Sequence, residues 1–184
     1  MSLRDRPAKR IGLSLIIAVA ALAAAGCTVR PLYMDGPPAA GATSGVADRL
    51  ASIAISAPRT RQGQEVRNHL IFLFGKGGGE PASAAYDMNL LVTSRVISAA
   101  VIQVGTSAQE PTSSLVSMTA TYTITNRATG AVVARGTRSS SSAYDLPRQQ
   151  FAAYRARLDA ENRAARELAE IVNLAVAQQL SSGG

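Results

Sequence analysis

The sequence predicts an α+β fold: two helices packed on one face of a four-stranded, mostly antiparallel sheet, in the order β-α-β-β-β-α. Three observations carry that expectation. Val116, Met118, Ala120, Tyr122 and Ile124 alternate with Ser117, Thr119, Thr121 and Thr123, the period-2 pattern of a strand with one apolar and one wet face. Val66, Leu70, Leu73 and Phe74 recur at helical spacing. A long segment from about Arg148 to Leu180 carries the stripe Phe151, Tyr154, Leu158, Ala165, Leu168, Val172 and Ala175, interrupted by polar Asn162.

The elements follow in order. In "SIAIS" (52–56), Ile53 and Ile55 alternate with small residues, a short strand that must end before Pro58. Thr60 is the natural N-cap of a helix over Arg61 to Phe74, and Gly75 fits its stop. Residues 86–104 read as extended, with Leu90, Val92 and Ser94 on one face and Leu91, Thr93 and Arg95 on the other. "VGTSAQEPTSS" (104–114) is expected to be a connecting loop. After the alternating strand, "NRATG" (126–130) makes a tight turn and Ala131 to Thr137 returns as the partner strand.

Upstream of this domain the chain reads differently. Arg4, Arg6, Lys9 and Arg10 precede the apolar run Ile11 to Ala25, which is short for a transmembrane helix of about 20 residues. A basic region, a short apolar region and small residues at a cut (Ala24, Ala25, Gly26) are the parts of a secretory signal peptide. The single cysteine, Cys27, stands directly after that cut. Leu22, Ala24, Ala25, Gly26 and Cys27 together match the lipobox of bacterial lipoproteins, with Ala24 where leucine is commonest. Cys27 is thus the expected lipidation site, its thiol taking a diacylglycerol and its new amino terminus an acyl group such as palmitate. Acyl chains contribute about 0.8 kcal/mol per buried CH₂, enough for two or three to hold a protein on a bilayer. The other reading is a buried cysteine in an uncleaved anchor. Thr28 follows where an aspartate would resemble an inner-membrane retention signal, which points to the outer membrane of a Gram-negative envelope. The expected division is a lipoprotein signal peptide at 1–26, a lipidated N-terminus and flexible tether at 27–48, and the α+β domain at 49–184.

Charge and composition narrow the function classes. The full chain has 19 basic and 12 acidic residues, a net charge of +7. Residues 1–26 hold four of the basic residues and Asp5, leaving 15 against 11, or +4. With no tryptophan and only five tyrosines and three phenylalanines, basic residues interleaved with stacking platforms are missing, which argues against nucleic acid. One cysteine permits no internal disulfide, and one histidine (His69) leaves a metal site dependent on scattered carboxylates. There is no G-x-S-x-G, and "FGKGGGE" (74–80) follows a helix instead of opening one, unlike a phosphate loop. No enzyme, cofactor or metal is expected.

"CTVRPLY" after the lipobox, "VRNHL" (66–70) in the first helix and this order of elements resemble the LptE family of lipopolysaccharide-assembly lipoproteins. The resemblance implies a non-enzymatic plug inside the outer-membrane β-barrel LptD. Such a protein helps the barrel assemble and assists lipopolysaccharide delivery to the cell surface. The alternative is an auxiliary lipoprotein of an ABC-type envelope lipid-transport complex. The resemblance also implies lipopolysaccharide contact by basic residues in the loop before the third strand and near the start of the final helix. Val104 to Leu115 departs from that, holding Glu110 and no basic residue, while Arg155 and Arg157 stand at the second place. Arg95, Arg135 and Arg138, in or beside the strands, are further candidates for lipopolysaccharide or barrel contact, since guanidinium groups pair well with phosphates. Arg157–Glu161 and Arg163–Glu167 are also i,i+4 pairs that could satisfy each other. Arg67 and Asn68 belong to the family-like motif and flank the buried side of their helix, where they could fix the helix on the sheet or contact the barrel wall; the structural role is the one expected.

Overall fold

The computed structural model describes residues 45–101 and 111–182. Cys27, the leader, most of the tether and residues 102–110 lie outside them.

The described chain opens with a short helix, α1 (Val46–Ala51), that the sequence reading did not include. It buries Ala47 and Leu50, and Arg49 Nη1 donates to the Leu180 carbonyl at 2.6 Å. That bond answers one of the carbonyls left without an intrahelical partner where the last helix ends. Six residues give too little periodicity to stand out in a stretch rich in Gly and Ala.

Strand β1 (Ile53–Ile55) pairs in parallel with β2 (Tyr86–Val101), Ile53 beside Tyr86 and Ile55 beside Met88. The sheet is therefore mixed, correcting the mostly antiparallel expectation. The cause is connectivity: helix α2 (Arg61–Phe74) carries the chain from β1 back to the same end of the sheet, and a crossover of that kind joins parallel strands. The Thr60 side chain caps α2 by accepting from the Gly63 N–H at 3.1 Å. Gly63, Val66, Leu70 and Phe74, at i, i+3, i+7 and i+11, form its buried face.

β2, β3 (Pro111–Asn126) and β4 (Val132–Asp145) continue as an antiparallel meander, giving the order β1-β2-β3-β4. Two segments are strand where the sequence suggested loop or nothing: Pro111 to Ser114, and Arg138 to Asp145. Both are serine-rich and weak in local β signal, so cross-strand pairing decides. Ser113 faces Asp145, Ser114 faces Tyr144, and Ser114 is buried. The turn between β3 and β4 is read correctly. Asn126 Oδ1 accepts from the Ala128 and Thr129 N–H groups at 2.8 and 3.2 Å, and Gly130 adopts φ +70°.

Helix α3 (Gln150–Ser182) lies antiparallel along β4. Its buried residues begin at Ala160 and include Ala164, Ala165, Leu168, Ala169, Val172, Ala175 and Val176. The alanines let the helix axis approach the sheet closely. Even-numbered residues of the strands (Met88, Leu90, Val92; Val116 to Ile124; Ala134) meet α2 and α3 in the core. The expected stripe starts too early, however: Phe151 and Tyr154 are 76% and 58% exposed. They sit about two turns before Ala160, the first buried residue of α3, where the spacing is right but no neighbour among the described residues covers it.

Candidate functional site

Among the described residues, one face of the sheet carries no helix. In β3 its side chains are Ser117, Thr119, Thr121 and Thr123; in β4, Arg135, Thr137, Ser139 and Ser141; in β2, Leu91, Thr93 and Arg95. Register aligns them in rows. Thr93, Thr119 and Ser139 stand side by side, as do Arg95, Ser117 and Ser141. The Thr121 and Thr137 hydroxyls bond each other at 3.3 Å. The alternation that packs the core on even residues necessarily presents hydroxyls on odd ones, because successive strand side chains point to opposite faces. The result is a broad hydrogen-bonding surface whose centre carries short hydroxyl side chains, with Arg95 and Arg135 far apart on it, able to lie against another polar surface at low side-chain entropy cost.

The arginines nominated from sequence are not gathered on it. Arg95 and Arg135 share the open face, but Arg95 pairs with Ser117 and Arg135 with Thr123. Six residues of β3 separate them, about 20 Å along the strand. Arg138 belongs to the helix side and donates to the Thr137 carbonyl at 2.8 Å. Arg157 Nε bonds Glu161 Oε1 at 3.0 Å, so that guanidinium is engaged within its helix. Arg155 is exposed on the first turns of α3, with no ion pair among the described residues. Arg163 does not pair with Glu167. It bonds Asp159, the Ser142 hydroxyl and the Ala143 carbonyl, while Glu167 accepts from the Ser140 hydroxyl at 3.0 Å. The strand register places β4 within reach of Arg163 and Glu167, and those contacts displace the intrahelical pair.

Arg67 Nε donates to the Ile55 carbonyl at 3.0 Å and Nη2 to Glu80 Oε1 at 2.7 Å, tying α2 to the end of β1 and to the following loop. Asn68 is exposed.

Two polar arrangements escaped the sequence. At the foot of the open face, Ala54, Ser56, Asp87, Asn89, Thr125 and Arg127 line a shallow groove of ≈ 730 Å³. Arg127 bonds both Asp87 oxygens, at 2.8 and 2.6 Å, and these bonds hold the Asp87 carboxyl below the usual carboxylate range. Forty residues separate the pair in sequence, and only the β2–β3 register and the turn at Asn126 bring them together. The second is Glu161, buried between α2 and α3: its i,i+4 bond from Arg157 was expected, but its burial and the bonds from Arg61 and Gln62 were not. Among the described residues there is no group of three or more His, Cys, Asp or Glu side chains able to hold a metal, and no helix long and apolar enough to cross a membrane.

The described chain is thus a one-sided α+β layer with an open, hydroxyl-rich sheet face. The lipopolysaccharide-assembly (LptE) family model matches residues 50–175, and the chain belongs to that family. The same fold occurs in a protein from Caulobacter crescentus assigned as a lipoprotein: 26% identity over 74% of this chain and 96% of that one, TM-score 0.62. It occurs again in rare lipoprotein B from Shewanella oneidensis, at 12% identity over 71% of this chain and 92% of that one, TM-score 0.50. No curated protein sequence matches.

Proposed function

We propose that this protein is an outer-membrane lipoprotein, held at the periplasmic face through Cys27. There it docks as a non-enzymatic plug in a β-barrel of the LptD type, helping the barrel assemble and lipopolysaccharide reach the surface. Membership of the lipopolysaccharide-assembly family supports the process. The observation that carries the docking mode is the open sheet face, with Thr119, Thr121, Thr137 and Ser139 at its centre. Barrel lumens are polar, and the hydroxyls at the centre of this face offer donors and acceptors to such a wall without a charge of their own to desolvate. Arg155, outside that face and free of ion pairs among the described residues, is one cation available to an acidic glycolipid.

The test is recovery of the acylated protein from detergent-solubilised outer membranes, with mass spectrometry of its companions. One large β-barrel in stoichiometric amount is expected, and its loss in a Thr119→Arg, Thr121→Arg variant that stays folded. Recovery of inner-membrane transporter subunits, or an unchanged barrel yield from the variant, would overturn the reading.

A further inference from the structure

The two edges of the sheet are treated differently. On β4, α3 answers the outward backbone groups. Gln179 accepts from the Arg135 N–H at 3.0 Å and donates to the Arg135 carbonyl at 3.1 Å, and Arg163 donates to the Ala143 carbonyl at 2.8 Å. On β2, β1 covers only Tyr86 to Met88, after which Ser56 adds its N–H to the Met88 carbonyl and its hydroxyl to the Leu90 N–H. Beyond Leu90 the outward groups belong to Val92, Ser94 and Val96, and none has a partner among the described residues. Thr93 to Ser98 are all exposed. The pairing irregularity between Ser98 and Ala100 ends the regular run. Among the described residues the eight-residue edge from Leu91 to Ser98, "LVTSRVIS", is thus open, with no proline and one charge. Such an edge is a template for another strand.

We propose that this edge pairs antiparallel with the same edge of a second copy of the chain, across a two-fold axis at Ser94. The window from Leu91 to Ile97 is centred on Ser94, and in that register its apolar side chains meet one another. Val92 stands opposite Val96 of the other copy and Leu91 opposite Ile97, so that Leu91 and Ile97, 62% and 40% exposed in the single chain, cover each other. Arg95 falls opposite Thr93, not opposite its own copy, whereas a two-fold axis at Arg95 would oppose the two guanidinium groups directly. Both partners present even-numbered backbone groups to the junction, so the ladder closes with Ser94 facing Ser94, flanked by two Val92–Val96 pairs. Each sheet of four strands joins the other, with the helices of both copies on one side and the hydroxyl face continuous on the other. This pairing does not rest on the barrel-docking reading, and it belongs to copies outside the barrel, since two joined sheets do not enter a lumen as one plug.

The first experiment is sedimentation equilibrium of the full chain in detergent over a wide concentration range, for the wild type and Ser94→Pro. Proline removes an N–H that faces away from β3 and is tolerated at edges, so the variant should keep its melting temperature. Its dimerisation should weaken at least about tenfold. A register test accompanies it: copies carrying Leu91→Cys mixed with copies carrying Ile97→Cys should form mixed disulfide dimers on oxidation, above any Cys27 background seen in wild type. A wild type that stays monomeric at every concentration overturns the proposal. So does a dimer that Ser94→Pro leaves intact, or one that forms no mixed disulfide. Protection of the Val92, Ser94 and Val96 amides in a monomer would instead assign the edge to a segment of the same chain.

Discussion

Arg61 and Glu161, one hundred residues apart, join α2 to α3: Arg61 Nη1 donates to Glu161 Oε2 at 3.2 Å, and Glu161 is only 3% exposed. Gln62 and Arg157 bond the same carboxylate, so the buried charge sits among three donors. The guanidinium side chains of Arg61 and Arg157 are 45% and 52% exposed and can return to water when a partner is lost. The asymmetry predicts unequal effects. Glu161→Ala removes the shared acceptor and loosens the helix pair, costing about 1–3 kcal/mol. Arg157→Ala leaves two donors on the carboxylate and costs below about 1 kcal/mol. Urea melts of the two variants check this, and equal losses would mean that the three donors do not act through Glu161.

Gly136 lies opposite Tyr122 in the β3–β4 ladder. A Cβ built on Gly136 would stand 2.8 Å from the phenolic oxygen and 3.0 Å from Cζ. The ring is buried and its hydroxyl accepts from Gln179 Nε2 at 3.4 Å, so it cannot swing away cheaply. Gly136→Val should therefore destabilise by about 1–3 kcal/mol through overpacking. Adding Tyr122→Leu should recover part of that loss, a coupling that thermal melts of the double variant would detect.

How much of this was legible beforehand varies with the range over which each feature is decided. Thr60, Gly75 and the Val66–Leu70–Phe74 face bounded α2 correctly because capping and periodicity are local. The β3–β4 turn was legible for the same reason, with Asn126 and Gly130 supplying its chemistry. The strand ends were not, since Ser113 and Ser140 gain their extended state from partners across the sheet. Phe151 and Tyr154 show the limit of a periodic stripe: it says which side of a helix is apolar, not how far the neighbouring sheet reaches. Arg163 was misassigned because its helical neighbour at i+4 was visible and the Ala143 carbonyl on β4 was not. The open face could be read as polar from alternation alone, but nothing in the pattern told that no helix lay across it.

Burial pushes the Tyr122 phenol above its ordinary range, against the opposing influence of Arg138 and the Gln179 bond. A raised value in the folded state means that the folded chain holds this proton more tightly than the unfolded one. The associated stability is fully present below about pH 10, where tyrosine ionises in an unfolded chain, and is lost as pH rises through the folded-state value. Tyr122→Phe removes the ionisable group. The stability difference between wild type and Tyr122→Phe should be flat from neutral pH to about 10 and then shift against the wild type. Urea melts across that range would show it, and a difference unchanged at high pH would place the phenol in contact with solvent.

The distribution of buried residues along α3 predicts where the fold opens first. From Gln150 to Asp159 no residue is buried, while Ala160, Ala164, Leu168, Val172 and Val176 are fully enclosed. The first turns are held by helical hydrogen bonds and by exposed pairs such as Asp159–Arg163, each worth a few tenths of a kcal/mol. The turns from Ala160 onward cannot open without separating α3 from α2 and β4. Local fluctuation should therefore release the amides of residues 154–159 on a path well below global unfolding, whereas those of 164–177 should exchange only with the core. Phe151→Ser with Tyr154→Ser, at exposed positions, should leave the melting temperature nearly unchanged, while Leu168→Ala on the same helix should cost about 2–5 kcal/mol. Hydrogen exchange read by mass spectrometry gives the boundary directly. Slow exchange that reaches back to residue 154 would mean that another surface covers the start of α3 in solution.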